Sequence, residues 1–113
     1  MPKNESLGDL EQMVLLALMR LGEDAYGVTI RREIEERTGR AVTLGSIYPT
    51  LHRLEAKGYV KSFTGEPTAM RGGRARRHFV LKPMGRSALH RQRTMLNALW
   101  EGFDVDTEPT GRS

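Results

Sequence analysis

The 113-residue chain has no cysteine. That excludes disulfides, thiolate nucleophiles and cysteine-ligated zinc. Aromatic residues make up only 6%, and tryptophan occurs once, at Trp100. No run approaches the roughly 18 consecutive apolar residues of a membrane span, so no membrane partner is expected. The opening residues, MPKNESLGDLE, are polar and acidic. They do not read as a signal peptide, and the chain is read as cytoplasmic. His52, His78 and His90 are scattered, without metal-ligand spacing. No serine or threonine has a nearby base, and no glycine-rich phosphate loop follows a strand. The expectation is a non-enzyme with no cofactor and no metal.

Acidic residues are also missing where they would matter most. Between Pro67 and Trp100 there is no Asp or Glu, while Arg71, Arg74, Arg76, Arg77, Lys82, Arg86, Arg91 and Arg93 all fall there. The net charge is +4, so this stretch carries +8 and the remainder −4. Such asymmetry points to a polyanionic partner rather than to a merely soluble basic surface. Hydrophobic content of 38% and a mean hydropathy of −0.50 allow one small core. A chain of this size often gains stability by oligomerising.

The chain is organised around residues 43–59, TLGSIYPTLHRLEAKGY. Ile47, Leu51 and Leu54 recur at helical spacing and should face a core. Ser46, Thr50, His52, Arg53 and Lys57 fall on other faces, and most are hydrogen-bond donors. Thr43 suits an N-cap and Gly58 a C-terminal stop. A short helix with one buried stripe and a donor-rich opposite side suits a DNA major groove. Pro49 is the anomaly, because proline inside a helix costs about 3 kcal/mol. Either Gly45 lets the backbone relax, or the helix starts later, near Pro49.

Two helices precede this one. Leu7, Leu10, Val14, Leu18 and Leu21 mark residues 7–21, with Ser6 as N-cap and Asp9 near the positive end. Met13, Leu15, Leu16 and Met19 widen its apolar surface, which a second subunit would help to cover. Tyr26, Ile30 and Ile34 mark residues 26–37, whose outer face of mixed charge reads as solvated. Three helices with a short connection before the third form a helix-turn-helix core. Residues 59–63 and 76–81 read as strands, with Phe79 and Leu81 inward and Arg76 and His78 outward. The linker 64–75 between them would be a mobile wing, and Gly72-Gly73 would let it approach a duplex closely. Leu89, Gln92, Leu96, Leu99 and Phe103 follow 3-4-3-4 spacing on a last helix, residues 83–103, with Ala88 and Met95 beside them. That is a coiled-coil-like seam with a polar position at Gln92. The organisation expected is a winged helix-turn-helix domain over 1–82, a dimerisation helix over 83–103 and a disordered tail over 104–113. The fold class is mainly α, an α+β winged helix with a two-stranded wing.

LGDLE at 7–11, YGVTI at 26–30, TLGSIYPTLHRLEAKGYV at 43–60 and GGRARRHFVLKPMG at 72–85 occur in that order. Together they resemble the PadR family of bacterial transcriptional regulators, in its short form with a single C-terminal helix. The resemblance covers about residues 7–100, and its most specific part is Y-P-T-L-x-R-L-E-x-x-G-Y. It implies a winged helix-turn-helix homodimer that binds double-stranded DNA. The function expected of this chain is a sequence-specific transcriptional repressor on a palindromic operator, not an enzyme. One departure is Leu81-Lys82-Pro83-Met84-Gly85, where members often carry Leu-Thr-x-x-Gly. Lys82 is a poor N-cap, worth about 1 kcal/mol less than Thr.

For phosphate contacts the sequence offers Tyr48, Thr50, Arg53, Arg74, Arg76 and Arg77, with Ser46 near the helix N-terminus. For base edges it offers Pro49, Thr50, His52 and Arg53, and only Arg53 has a fork suited to guanine. The resemblance places Tyr48, Pro49 and Thr50 on the recognition helix. Tyr48 is alternatively a half-buried anchor, and His52 alternatively faces water. Leu89, Leu96, Leu99 and Phe103 are the expected dimer contacts. Trp100, with Met95 and Leu96, is either interface packing or a platform for a planar aromatic effector. The resemblance favours an effector, because some members respond to phenolic or aromatic compounds. The rival function is an adaptor dimer whose basic wing docks an acidic protein partner.

Overall fold

The computed structural model describes residues 6–65 and 76–103. Helix α1 spans Asp9–Leu21, α2 Gly27–Thr38, α3 Leu44–Ala56 and α4 Pro83–Trp100. Strands β1, Val60–Thr64, and β2, Arg77–Leu81, form one antiparallel pair before α4. A single turn of 3₁₀ helix, Gly22–Asp24, joins α1 to α2. The wing tip, Arg74 and the tail 104–113 lie outside the described residues.

The core sits where α1, α2 and α3 meet, and β2 closes one side. Val14 and Leu15 of α1, Ile30 of α2, and Ile47, Leu51 and Leu54 of α3 are fully buried. Burying such a side chain contributes about 1.5–3 kcal/mol relative to leaving it exposed. Phe79 is the largest side chain sealed in this core. Its backbone N–H donates to the Ala25 carbonyl at 2.9 Å, which ties β2 to the α1–α2 turn. The ladder pairs Val60 with Leu81 and Phe63 with His78.

Helix α3 has defined ends. Thr43 Oγ1 accepts the Ser46 N–H at 3.1 Å, the expected N-cap. At the other end Tyr59 N–H reaches the Leu54 carbonyl and Gly58 N–H the Glu55 carbonyl. These two bonds, with Gly58 at φ +83°, make a Schellman stop. Pro49 lies inside the helix, which does not restart there. Its missing N–H leaves the Gly45 carbonyl without the usual donor. Gly45 is exposed, so that carbonyl does not face the core.

Three expectations need correction. The N-cap of α1 is Gly8 rather than Ser6, because Glu11 reaches back to accept the Gly8 N–H at 3.0 Å. His78 is half-buried rather than outward, since its ring lies between Tyr26 and Phe63. Helix α4 ends at Trp100, short of Phe103.

Pro83 occupies the first turn of α4, and Lys82 gives no side-chain cap. Gly85 is what lets that helix start against β1: a methyl group there would collide with the Tyr59 carbonyl. Gly85→Ala is expected to destabilise the chain by about 1–3 kcal/mol, read as a lowered urea midpoint. An unchanged midpoint would show that the α4–β1 junction yields freely.

Candidate nucleic-acid interface

Burial of Ile47, Leu51 and Leu54 fixes which side of α3 faces out. Tyr48, Pro49, His52 and Arg53 are exposed on that side. Ser46 is half-buried, and its hydroxyl is engaged at the cap, donating to the Thr43 carbonyl at 3.0 Å. Thr50 is placed differently from the expectation. It is 1% exposed, and its hydroxyl donates to the Ser46 carbonyl at 2.8 Å. A side chain so enclosed reaches neither a phosphate nor a base edge. The same oxygen accepts from Arg53 Nη2 at 3.2 Å, so Thr50 orients Arg53 from behind.

Arg53 is held from a second direction, by a residue that sequence reasoning passed over. Glu11 of α1 is 8% exposed. Its Oε2 lies 3.5 Å from Arg53 Nε and 3.3 Å from Lys57 Nζ. The half-exposed Arg53 side chain is thereby restrained between Glu11 and Thr50. Burial by itself would raise the Glu11 carboxyl, but the Gly8 N–H, Lys57 and Arg53 outweigh it and hold the group below its ordinary value. The only sequence signal was one acidic residue interrupting the apolar run of α1.

The wing base is tied to the start of α2. Arg76 lies over the Tyr26 ring at 4.6 Å. Tyr26 meets His78 edge-on at 5.3 Å, and His78 stacks on Phe63 at 5.4 Å. Arg76 and Arg77 are both exposed. The Tyr48 ring is packed against Gly27, where a methyl group would strike its hydroxyl. Tyr48 thus anchors α3 on α2 while keeping part of its ring at the surface. Among the described residues, no group of His, Cys, Asp or Glu could hold a metal ion. None of their helices is long and apolar enough to cross a membrane.

On α4, Leu89 is 8% exposed and belongs to the chain's own core, so it is not available to a seam. Gln92 accepts the Leu7 N–H of the same chain at 3.2 Å. Met95, Leu96, Leu99, Trp100 and Phe103 are exposed.

Three helices, the third presenting a polar outer face, followed by a two-stranded wing, define a winged helix-turn-helix protein. The pattern described as the Transcriptional regulator PadR-like family matches residues 15–91. The chain therefore belongs to the PadR-like family of transcriptional regulators, which are DNA-binding proteins and not enzymes. It is 40% identical over 76 residues to Transcriptional regulator Rv3488 of Mycobacterium tuberculosis, a match covering 67% of this chain and 66% of that protein. A PadR-like transcription factor from Bacteroides fragilis superposes with a TM-score of 0.69 at 25% identity, covering 81% of this chain and 84% of the other. A PadR family regulator from Clostridium difficile gives 0.68 at 21% identity, covering 85% and 98%.

The Glu11 contacts have a pH signature. A carboxyl held low in the folded state adds stability above its unfolded pKa, and that stability is lost as pH falls through the lowered folded value. Urea unfolding should therefore show a loss that begins near pH 4.5 and grows below it. Glu11→Gln should flatten this loss and lower stability at neutral pH by about 1 kcal/mol. A variant with the wild-type pH profile would remove Glu11 from this role.

Proposed function

We propose that two copies of this chain bind a palindromic operator and repress transcription by occupying it. The observation that carries this reading is the outer face of α3, where Tyr48, Pro49, His52 and Arg53 are exposed and Tyr48 lines one cleft with Arg76 and Arg77. In a winged helix, α3 enters a major groove. His52 and Arg53 then meet base edges, with Arg53 suited to guanine. Tyr48, Arg76 and Arg77 meet phosphates, as would Arg74. Thr50 acts only by orienting Arg53.

Pairing rests on α4. Among the described residues, Leu99 is left 76% exposed and Trp100 52%. Leu16 and Met19 of α1 are exposed too. A second copy buries these groups and sets two α3 helices about 34–36 Å apart, one turn of duplex. A planar aromatic compound stacking on Trp100, between Met95 and Leu96, would change that spacing and release the operator.

Selection from random duplexes should return a palindrome with half-sites about 10 base pairs apart. With about eight phosphates neutralised per dimer, the log–log salt slope should be about −7. Leu99→Glu leaves the core untouched. It should give monomers by sedimentation and weaken operator binding by about 10²-fold. Dimers that persist in this variant, or a sequence-blind selection, would contradict the proposal. An aromatic inducer should quench Trp100 fluorescence and weaken operator binding together; quenching with undiminished binding would reject the effector site.

A further inference from the structure

A cleft of about 430 Å³ opens between the start of α2, the outer face of α3 and the base of β2. Tyr26, Val28, Arg32, Tyr48, Arg76 and Arg77 line it. Three arginines from two parts of the chain distant in sequence thus line one cleft. Among the described residues no carboxylate pairs with Arg32, Arg76 or Arg77. Glu36, one helical turn beyond Arg32, forms no ion pair with it. Glu33 is occupied by Arg20 at 3.2 Å and Arg37 at 2.7 Å. Among the described residues the charge of the cleft is therefore uncompensated, whereas Arg37 of the same helix is paired with Glu33.

The cleft is also organised in advance. Arg76 is held over Tyr26, and the His78–Phe63 stack holds Tyr26 in turn. Tyr48 is wedged against Gly27. Arg76, Tyr26 and Tyr48 therefore have little side-chain freedom left to lose when an anion enters, which favours binding. Arginine forks match the geometry of a phosphate.

Position selects among phosphates. A helix in a major groove and a wing in the adjacent minor groove straddle the one sugar–phosphate strand that separates the two grooves. The cleft lies between those two parts. We infer that Arg32, Arg76 and Arg77, with the Tyr26 and Tyr48 rings, grip one backbone phosphodiester of that strand, and that Val28 lies against its sugar. This rests on the DNA-binding reading above. It adds α2, whose charged face would otherwise pass as solvated, to the duplex-contacting surface. A grip of this kind sets the register of α3 without reading sequence.

The test is fluorescence anisotropy of a labelled mixed-sequence duplex over about 50–200 mM salt. Arg32→Gln should weaken binding about tenfold at the low end and make the slope shallower by about two per dimer, one phosphate from each subunit. Arg32→Lys should retain most of the slope, because it keeps the charge. Arg37→Gln removes the same charge from the same helix, outside the cleft, and should leave the slope as it was. In a double-mutant cycle, Arg32→Gln and Arg76→Gln should be less than additive, since both act on one phosphate. Arg32 is exposed, so unfolding midpoints should not move. A wild-type slope in Arg32→Gln, or an equal loss in Arg37→Gln, overturns the inference and leaves DNA binding standing. A flat salt response in the wild-type chain overturns both.

Discussion

Everything on the working surface depends on the burial of three side chains, Ile47, Leu51 and Leu54. They are sealed against α1 and α2, and this fixes the rotation of α3 about its own axis. A helix free to roll would present Tyr48, Pro49, His52 and Arg53 at no defined angle. The threonine cap and glycine stop fix its length, and the Glu55 carboxylate, accepting from Ser62 N–H and Oγ, ties it to β1. Tyr48 against Gly27 sets its distance from α2. Rotation, length and distance are thus set by separate contacts. None of these needs a ligand in place.

Charge is divided along the chain in a way that serves this arrangement. The acidic residues concentrate outside the 67–100 stretch, and several act inward on basic ones. Glu11 restrains Arg53 and Lys57, while Glu33 takes up Arg20 and Arg37. Arg32, Arg76 and Arg77, which line one cleft beside Tyr48 of α3, are left without such a carboxylate among the described residues. An exposed ion pair stabilises a fold only slightly. Its larger effect here is to offset the charges of Arg20 and Arg37 locally.

Much of the fold was legible because its signals are local. The periodicity of α1 and α2, the Thr43 cap, the Gly58 stop and the alternation around Phe79 each lie within a few residues. The misreadings arise where a distant partner decides. Thr50 falls on the donor-rich side of a helical wheel, but its γ-oxygen turns back to a carbonyl one turn earlier, as threonine does in helices. His78 would alternate outward, but Tyr26 and Phe63 enclose it. Leu89 fits a 3-4 seam, yet the first half of α4 packs on its own chain. Glu11 was invisible as a functional residue because Arg53 and Lys57 are 42 and 46 residues away, and Arg32 meets Arg76 and Arg77 only across the fold.

Backbone amide shift mapping tests the central claim most directly. The chain would be titrated with the duplex recovered by selection. The largest perturbations should fall at 26–32, 43–53 and 76–78, the three segments that meet around α3. Perturbations confined to α4, or spread evenly over the basic residues, would contradict the account.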